Sequence, residues 1–150
     1  MMLNRLPRFR RYYADMVTDA AVPPAQAFRF FCNVSDWQDW SSVIHRARLL
    51  NGDWRKGSLL LFMPKLPGLP PAPLVVPIIE FEQDYRITWG IDLPFMRMLH
   101  RFTFTPVDGG SCRIHHEEWS EGVVSLLTLP VAGALRRFND RFARELAAMF

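Results

Sequence analysis

The chain has 150 residues, 49% of them hydrophobic, and 18 Lys and Arg against 15 Asp and Glu give a net charge of +3. That is enough chain for one well-buried core and too little for two. So small an excess of cations, scattered among acids, excludes the dense basic face that a nucleic-acid partner needs.

Residues 1–10 carry Arg5, Arg8 and Arg10 with no apolar core behind them, so they read as a flexible basic end and not as a secretory signal. A first strand is expected over 11–22, stopped by Pro23-Pro24. The prolines open a helix over 24–32, where a missing N–H does no harm in the first turn and Ala27, Phe28, Phe31 and Cys32 form one stripe. A second short helix is expected over 36–42, capped by Ser35 or Asp36, with Trp37 and Trp40 on one face.

From Ile44 the pattern changes to strands. Strands over 44–50 and 57–63 flank the reversal Asn51-Gly52-Asp53. Residues 64–73 hold five prolines, which donate no ladder bonds, and form a long apolar loop that serves as a lid, a membrane-touching flap or, more simply, a stiff connector. Strands over 74–82 and 85–93 meet through Gln83-Asp84, with Ile79 and Phe81 facing Ile87, Trp89 and Ile91 and Pro77 marking an edge or a bulge.

The next hairpin pairs strands over 100–105 and 112–120 around the Asp108-Gly109-Gly110 turn. In that register Phe104 meets Ile114, Phe102 meets His116 and His100 meets Glu118, all on the apolar face, while Arg113, His115 and Glu117 face solvent and Trp119 falls on the outer face by parity. The apolar run 123–135 is broken by Ser125, Thr128 and Pro130 and is shorter than the roughly 20 residues of a membrane span. A soluble cytoplasmic protein is the expectation. The closing segment, 130–150, places Val131, Leu135, Phe138, Phe142, Leu146 and Met149 at helical steps, with Arg136, Arg137, Arg141 and Arg144 on a solvated face.

Cys32 and Cys112 stand far apart with neither metal-ligand nor disulfide spacing, and read as buried thiols. The chemistry-bearing candidates are therefore His100 and Glu118. Three readings of the pair stay open: a structural hydrogen-bonded couple, a polar anchor for a ligand, and a general acid and base. His116 lies on the same face, but three ligands on adjacent strands arise easily by chance, and no metal site is expected. Trp40, Phe81, Trp89, Phe102 and Phe104, with Leu135 and Phe138 of the closing helix, are the candidate apolar lining around His100, His116 and Glu118. No nucleotide loop or nucleophile motif is present.

The order of strand, two short helices, antiparallel strands and a long closing helix is an α+β layout. The run into Pro23-Pro24, Phe28, Asp36 with Trp40, Gly57, Pro77 to Glu80, Ile87-Thr88-Trp89, His100 with Phe102, and Gly110 to Gly122 with Glu118 resembles the START-like, polyketide cyclase/dehydrase (SRPBCC) superfamily. The resemblance implies a helix-grip fold: one domain over 1–150 in which a curved antiparallel β-sheet wraps a long C-terminal α-helix, with two short helices after the first strand. It implies an internal cavity for a hydrophobic small molecule, a lipid, quinone or aromatic polyketide, with no metal or cofactor. The rival is a cyclase or dehydratase using His100 and Glu118. A transient membrane contact through the 64–73 loop or the basic end is a further expectation, and the oligomeric state is left open. Ser41-Ser42 departs from the Asn-Pro that many relatives carry after Trp40, which bears on the pocket mouth.

Overall fold

The computed structural model describes residues 10–150. The chain runs β1 (Arg10–Ala20), α1 (Pro24–Cys32), a 3-10 turn (Val34–Asp36), α2 (Trp37–Trp40), β2 (Ile44–Leu49), β3 (Leu59–Pro64), β4 (Leu74–Glu82), β5 (Arg86–Leu93), β6 (Met96–Val107), β7 (Ser111–Gly122), α3 (Val124–Leu127), a second 3-10 turn (Leu129–Val131) and α4 (Ala132–Ala147). The seven strands form one antiparallel sheet in the order β1-β7-β6-β5-β4-β3-β2. It curls into a half-barrel around α4, the expected helix grip.

Alternation along the strands makes one face of the sheet apolar. On that face Phe28 and Phe31 of α1, Trp37 of α2 and Phe142 and Leu146 of α4 are all but fully buried against Leu60, Ile78, Ile87, Phe102, Phe104 and Ile114. Ser41 and Ser42 tie α4 to the end of the sheet. Ser41 Oγ donates to Glu145 at 3.1 Å, the Ser42 amide donates to the same carboxylate at 2.9 Å, and the Ser42 hydroxyl bonds its other oxygen.

Several expectations need correction. Arg10 is the first residue of β1, paired with Glu121, and so is not part of a flexible end; the rest of that expected segment lies outside the described residues. Neither Ser35 nor Asp36 caps α2. The 3-10 turn runs straight into α2, so Asp36 is already helical, whereas a cap needs extended backbone. The β4 register shifts between Ile78 and Glu80, which brings Ile78 and Phe81 opposite Trp89 and Ile87 and leaves Ile79 as the extra residue of a bulge, not a core residue. Pro77, one residue before, sits in an interior strand beside that bulge. The closing helix starts at Ala132, because Pro130 cannot donate and forces the residues around it into a 3-10 turn. Cys112 is buried as expected, but Cys32 is only half-buried.

The β6–β7 register is the expected one, with Phe104 opposite Ile114, Phe102 opposite His116 and His100 opposite Glu118. Trp119 lies on the outer face, yet it is buried there, sandwiched by Arg10 and Arg101 at 5.2 and 5.0 Å from its ring and bonded through its indole N–H to Glu121 at 3.2 Å. Among the described residues no helix is long and apolar enough to cross a membrane.

Candidate functional site

Between the sheet and the start of α4 the side chains do not meet, and a cavity of about 190 Å³ remains, partly open to the surface. Its walls are apolar: Phe62, Pro64 and Leu66 of β3 and the loop after it, Leu74 and Val76 of β4, Trp89 and Ile91 of β5, Met98 of β6 and Leu135 and Phe138 of α4. Among the described residues, His100 and Glu118 are the only ionisable side chains that line it. Gly90 also lines it, at φ +141°, and a Cβ there would stand 2.0 Å from the Met98 carbonyl oxygen, so only glycine lets β5 and β6 approach at this point.

The two polar side chains are cross-strand neighbours, but each bonds to something else. His100 Nε2 is hydrogen-bonded to His116 Nε2, and the rings stack with centroids 4.7 Å apart. Burial brings the His100 pKa down to about 3 and holds His116 well below the ordinary imidazole range, with the neighbouring His100 and His115 adding to the effect. Both rings are therefore neutral near pH 7, in complementary tautomers, one Nε2 donating and the other accepting. Phe102 stacks on His116 at 4.2 Å, and Trp89 packs tilted against His100 at 4.7 Å.

Glu118 is held from α4. Asn139 Nδ2 donates to its carboxylate and also to the Leu135 carbonyl at 2.9 Å. Burial pushes the Glu118 pKa up to about 7, partly offset by the Asn139 hydrogen bond. The group can thus be protonated or ionised near neutrality at little cost, and can offer a ligand either an O–H donor or a carboxylate acceptor. The Trp89 indole N–H and the Asn139 Oδ1 are buried without a hydrogen-bond partner, which leaves one donor on the cavity wall and one acceptor beside Glu118 unused.

Of the residues expected to line a pocket, Trp89, His100, Glu118, Leu135 and Phe138 do so. Trp40, Phe81, Phe102, Phe104 and His116 do not. Phe28 and Phe31 of α1 plug that part of the half-barrel, meeting Phe81 at 5.8 Å, Phe104 at 5.4 Å and Phe102 at 4.5 Å, while Trp40 packs on Phe142 at 5.2 Å. Asn139 is the residue that sequence reading missed. Its signal was a polar side chain on the apolar stripe between Phe138 and Phe142.

His100, His116 and Glu118 do not converge as a ligand set, since the imidazoles bond each other and the carboxylate bonds Asn139. Among the described residues, the grouping with metal-ligand spacing is Asp15, His115 and Glu117 on the outer face. Its carboxylates lie at opposite ring nitrogens of His115, 2.7 Å from Nε2 and 3.8 Å from Nδ1, so the imidazole stands between them.

The family model described as polyketide cyclase/dehydrase and lipid transport matches residues 14–149. Among curated proteins none matches the sequence. Solved structures share the fold at low identity. A START superfamily protein from Mycobacterium smegmatis superposes with a TM-score of 0.70 at 12% identity over 91% of this chain and 94% of that one. The Zhui aromatase/cyclase from a Streptomyces species gives 0.70 at 9% identity over 94% and 93% of the two chains. A truncated norcoclaurine synthase from Thalictrum flavum gives 0.67 at 12% identity over 98% and 97%.

Proposed function

Since the chain belongs to the polyketide cyclase/dehydrase and lipid transport family, we propose that it binds a small hydrophobic molecule carrying one hydroxyl or carbonyl group, seated in the cavity with its polar atom on Glu118. The observation that carries this reading is a buried carboxyl group on the wall of an otherwise apolar cavity, where desolvation raises its pKa to about 7. A structural carboxylate is usually paired with a cation or exposed, whereas pockets that select a ligand combine an apolar wall with few placed polar groups. A cavity of roughly 150 Å³ accepts benzene, so about 190 Å³ takes one substituted ring or a short acyl segment, with the remainder of a longer ligand at the mouth.

The same near-neutral group supports a second reading, proton transfer to a bound carbonyl in a cyclase- or dehydratase-type reaction. Glu118 would then be the acid, protonating the carbonyl oxygen as an enol carbon of the same substrate attacks the carbonyl carbon and closes the ring. Its carboxylate would take back the proton that the enol hydroxyl gives up. His100 would act as a neutral wall residue and not as its acid-base partner, because its Nε2 is committed to His116.

Titration with 2-naphthol and with naphthalene tests the binding reading. Wild type should prefer 2-naphthol by about tenfold, consistent with one hydrogen bond to a charged or strongly polar group, and Glu118→Gln should erase most of that preference while still binding naphthalene. Equal affinity of wild type for the two compounds would sink it. Turnover of an aromatic β-keto thioester, lost in Glu118→Gln with 2-naphthol affinity largely kept, would establish the second reading instead.

A further inference from the structure

The hydrophobic side chains that face solvent are gathered at one place. Of the fourteen large exposed ones among the described residues, nine lie at the end of the sheet where β3 finishes, β4 begins, β5 turns into β6 and β7 leads into α3. Phe95 at the β5–β6 turn is 84% exposed and Leu127 of α3 is 69% exposed; Leu93, Leu126, Leu69 and Leu74 are exposed with them. The turn and the β7–α3 junction abut, since the space above Gly122 is closed by the Phe95 carbonyl at 2.9 Å. Leu74 belongs both to this surface and to the cavity wall, so the exposed collar adjoins the cavity mouth. Apolar surface left in water in one contiguous patch marks an interaction site.

The charge around the collar says what it meets. Residues 66–79, 93–96 and 122–135 contain no charged side chain, and Lys65, Arg136 and Arg137 stand at their borders, with Arg97 paired to acids there. The acids at those borders are already neutralised: Asp92 by Arg97 at 2.7 Å, Glu121 by Arg10 at 2.8 Å and Arg97 at 3.2 Å, and Glu80 by Arg86 and Arg101 at 3.7 and 3.6 Å. Arg10 begins β1 beside Glu121 at this same end. An apolar collar inside a cationic rim matches an anionic bilayer, where hydrocarbon lies beneath a negative surface. Two copies meeting through this face would instead set like-charged rims against each other.

We propose that this end of the molecule docks on an anionic lipid surface, with Phe95 and Leu127 entering the interface and the cavity mouth turned toward the membrane. The proposal concerns how the surface meets a membrane, whatever the cavity holds.

Cosedimentation of the full chain with phosphatidylcholine–phosphatidylglycerol vesicles and with pure phosphatidylcholine vesicles tests it. The protein should pellet with the anionic vesicles, weakly with the neutral ones, and less as salt rises. Phe95→Asp with Leu127→Asp should lower the partition coefficient at least about tenfold. Arg136→Ala with Arg137→Ala should lower it roughly fivefold per cation. Both double variants alter exposed positions and should keep the wild-type melting temperature and 2-naphthol affinity. Absence of binding to anionic vesicles, or binding that survives the two aspartates, would overturn the proposal. So would a dimer, lost in the aspartate variant, from a protein that does not pellet with vesicles. Vesicle binding without any 2-naphthol binding would leave the docking surface standing and remove the ligand reading alone.

Discussion

Along β6 the inward side chains change character within three steps. Phe104 and Phe102 meet rings from α1, α4 and the sheet, His100 meets sheet rings on one side and the cavity on the other, and Met98 meets the cavity and is half-buried. The same passage occurs on β7, from Ile114 through His116 to Glu118. One half of the grip is thus a filled aromatic core, and the other a partly empty space with its polar groups at the boundary between them. The difference comes from what the helices supply. α1 and α2 insert Phe28, Phe31 and Trp37 into the filled half, while the open half is faced by Leu135 and Phe138 alone from the start of α4. Stability and binding are separated along the strands, so substitutions at the two ends should read out in different assays.

The largest effect is expected at the hub of the filled half. Phe31 is fully buried and touches Trp37, Trp89, Phe102, Phe104 and Phe142. Phe31→Ala should cost about 3–5 kcal/mol, measured by urea denaturation. A loss below about 1 kcal/mol would mean that the half-barrel collapses to fill the gap and that the two halves are not distinct.

Glu118 at the boundary should couple stability to pH with a sign set by burial. Its folded pKa of about 7 lies above the ordinary value of 4.5, so between those limits the folded state binds more protons than the unfolded one, and this group's contribution falls as pH rises through the window. The two imidazoles act oppositely. Their lowered folded values make stability fall as pH drops below about 6.5. The difference between Glu118→Gln and wild type removes the imidazole contribution. It should favour the glutamine variant increasingly from pH 4.5, reach about 3 kcal/mol near pH 7 and stay level above it. A difference that does not vary with pH would show that Glu118 is not desolvated in the folded protein.

Gly90 comes next. Gly90→Ala should cost at least about 2 kcal/mol, because both the left-hand φ and the Met98 carbonyl oppose a Cβ. It should also weaken 2-naphthol binding, since the β5–β6 approach shapes the cavity wall. Unchanged melting by calorimetry would show that the strands can part here freely.

How far the fold and the site were legible in the sequence follows the same division. The β6–β7 register was legible because Phe102, Phe104 and Ile114 alternate with polar residues about a strong turn, and a one-residue slip would expose all of them. The bulge at Ile79 was not legible, since Ile78 and Ile79 stand side by side after Pro77 and either could face the core. The break before Ala132 was obscured because the apolar spacing continues through Pro130. At the site, His100 and Glu118 could be placed on one face, but their bonds depend on third parties. The His100 partner comes from the neighbouring position on β7, and the Glu118 partner comes from α4, across the cavity. Local pattern carries no information about a helix docked from elsewhere in the chain, and so the pairing of Asn139 with Glu118 and the division of the aromatic residues between core and cavity were both hidden.

The finest test of that division places the same enlargement at each end. Leu60 is fully buried in the filled half, whereas Leu135 borders the cavity. Leu60→Phe must force rings off their rotamers and should cost about 1–3 kcal/mol. Leu135→Phe has empty volume to enter, and its main-chain carbonyl still accepts from Asn139, so its cost should be under about 1 kcal/mol. Affinity should show the reverse order: Leu135→Phe occupies the space a ligand needs and should lose most 2-naphthol binding, while Leu60→Phe, if folded, should keep it. Should both variants lose stability equally, with binding untouched, the cavity would have to be closed in solution and the two halves would be one continuous core.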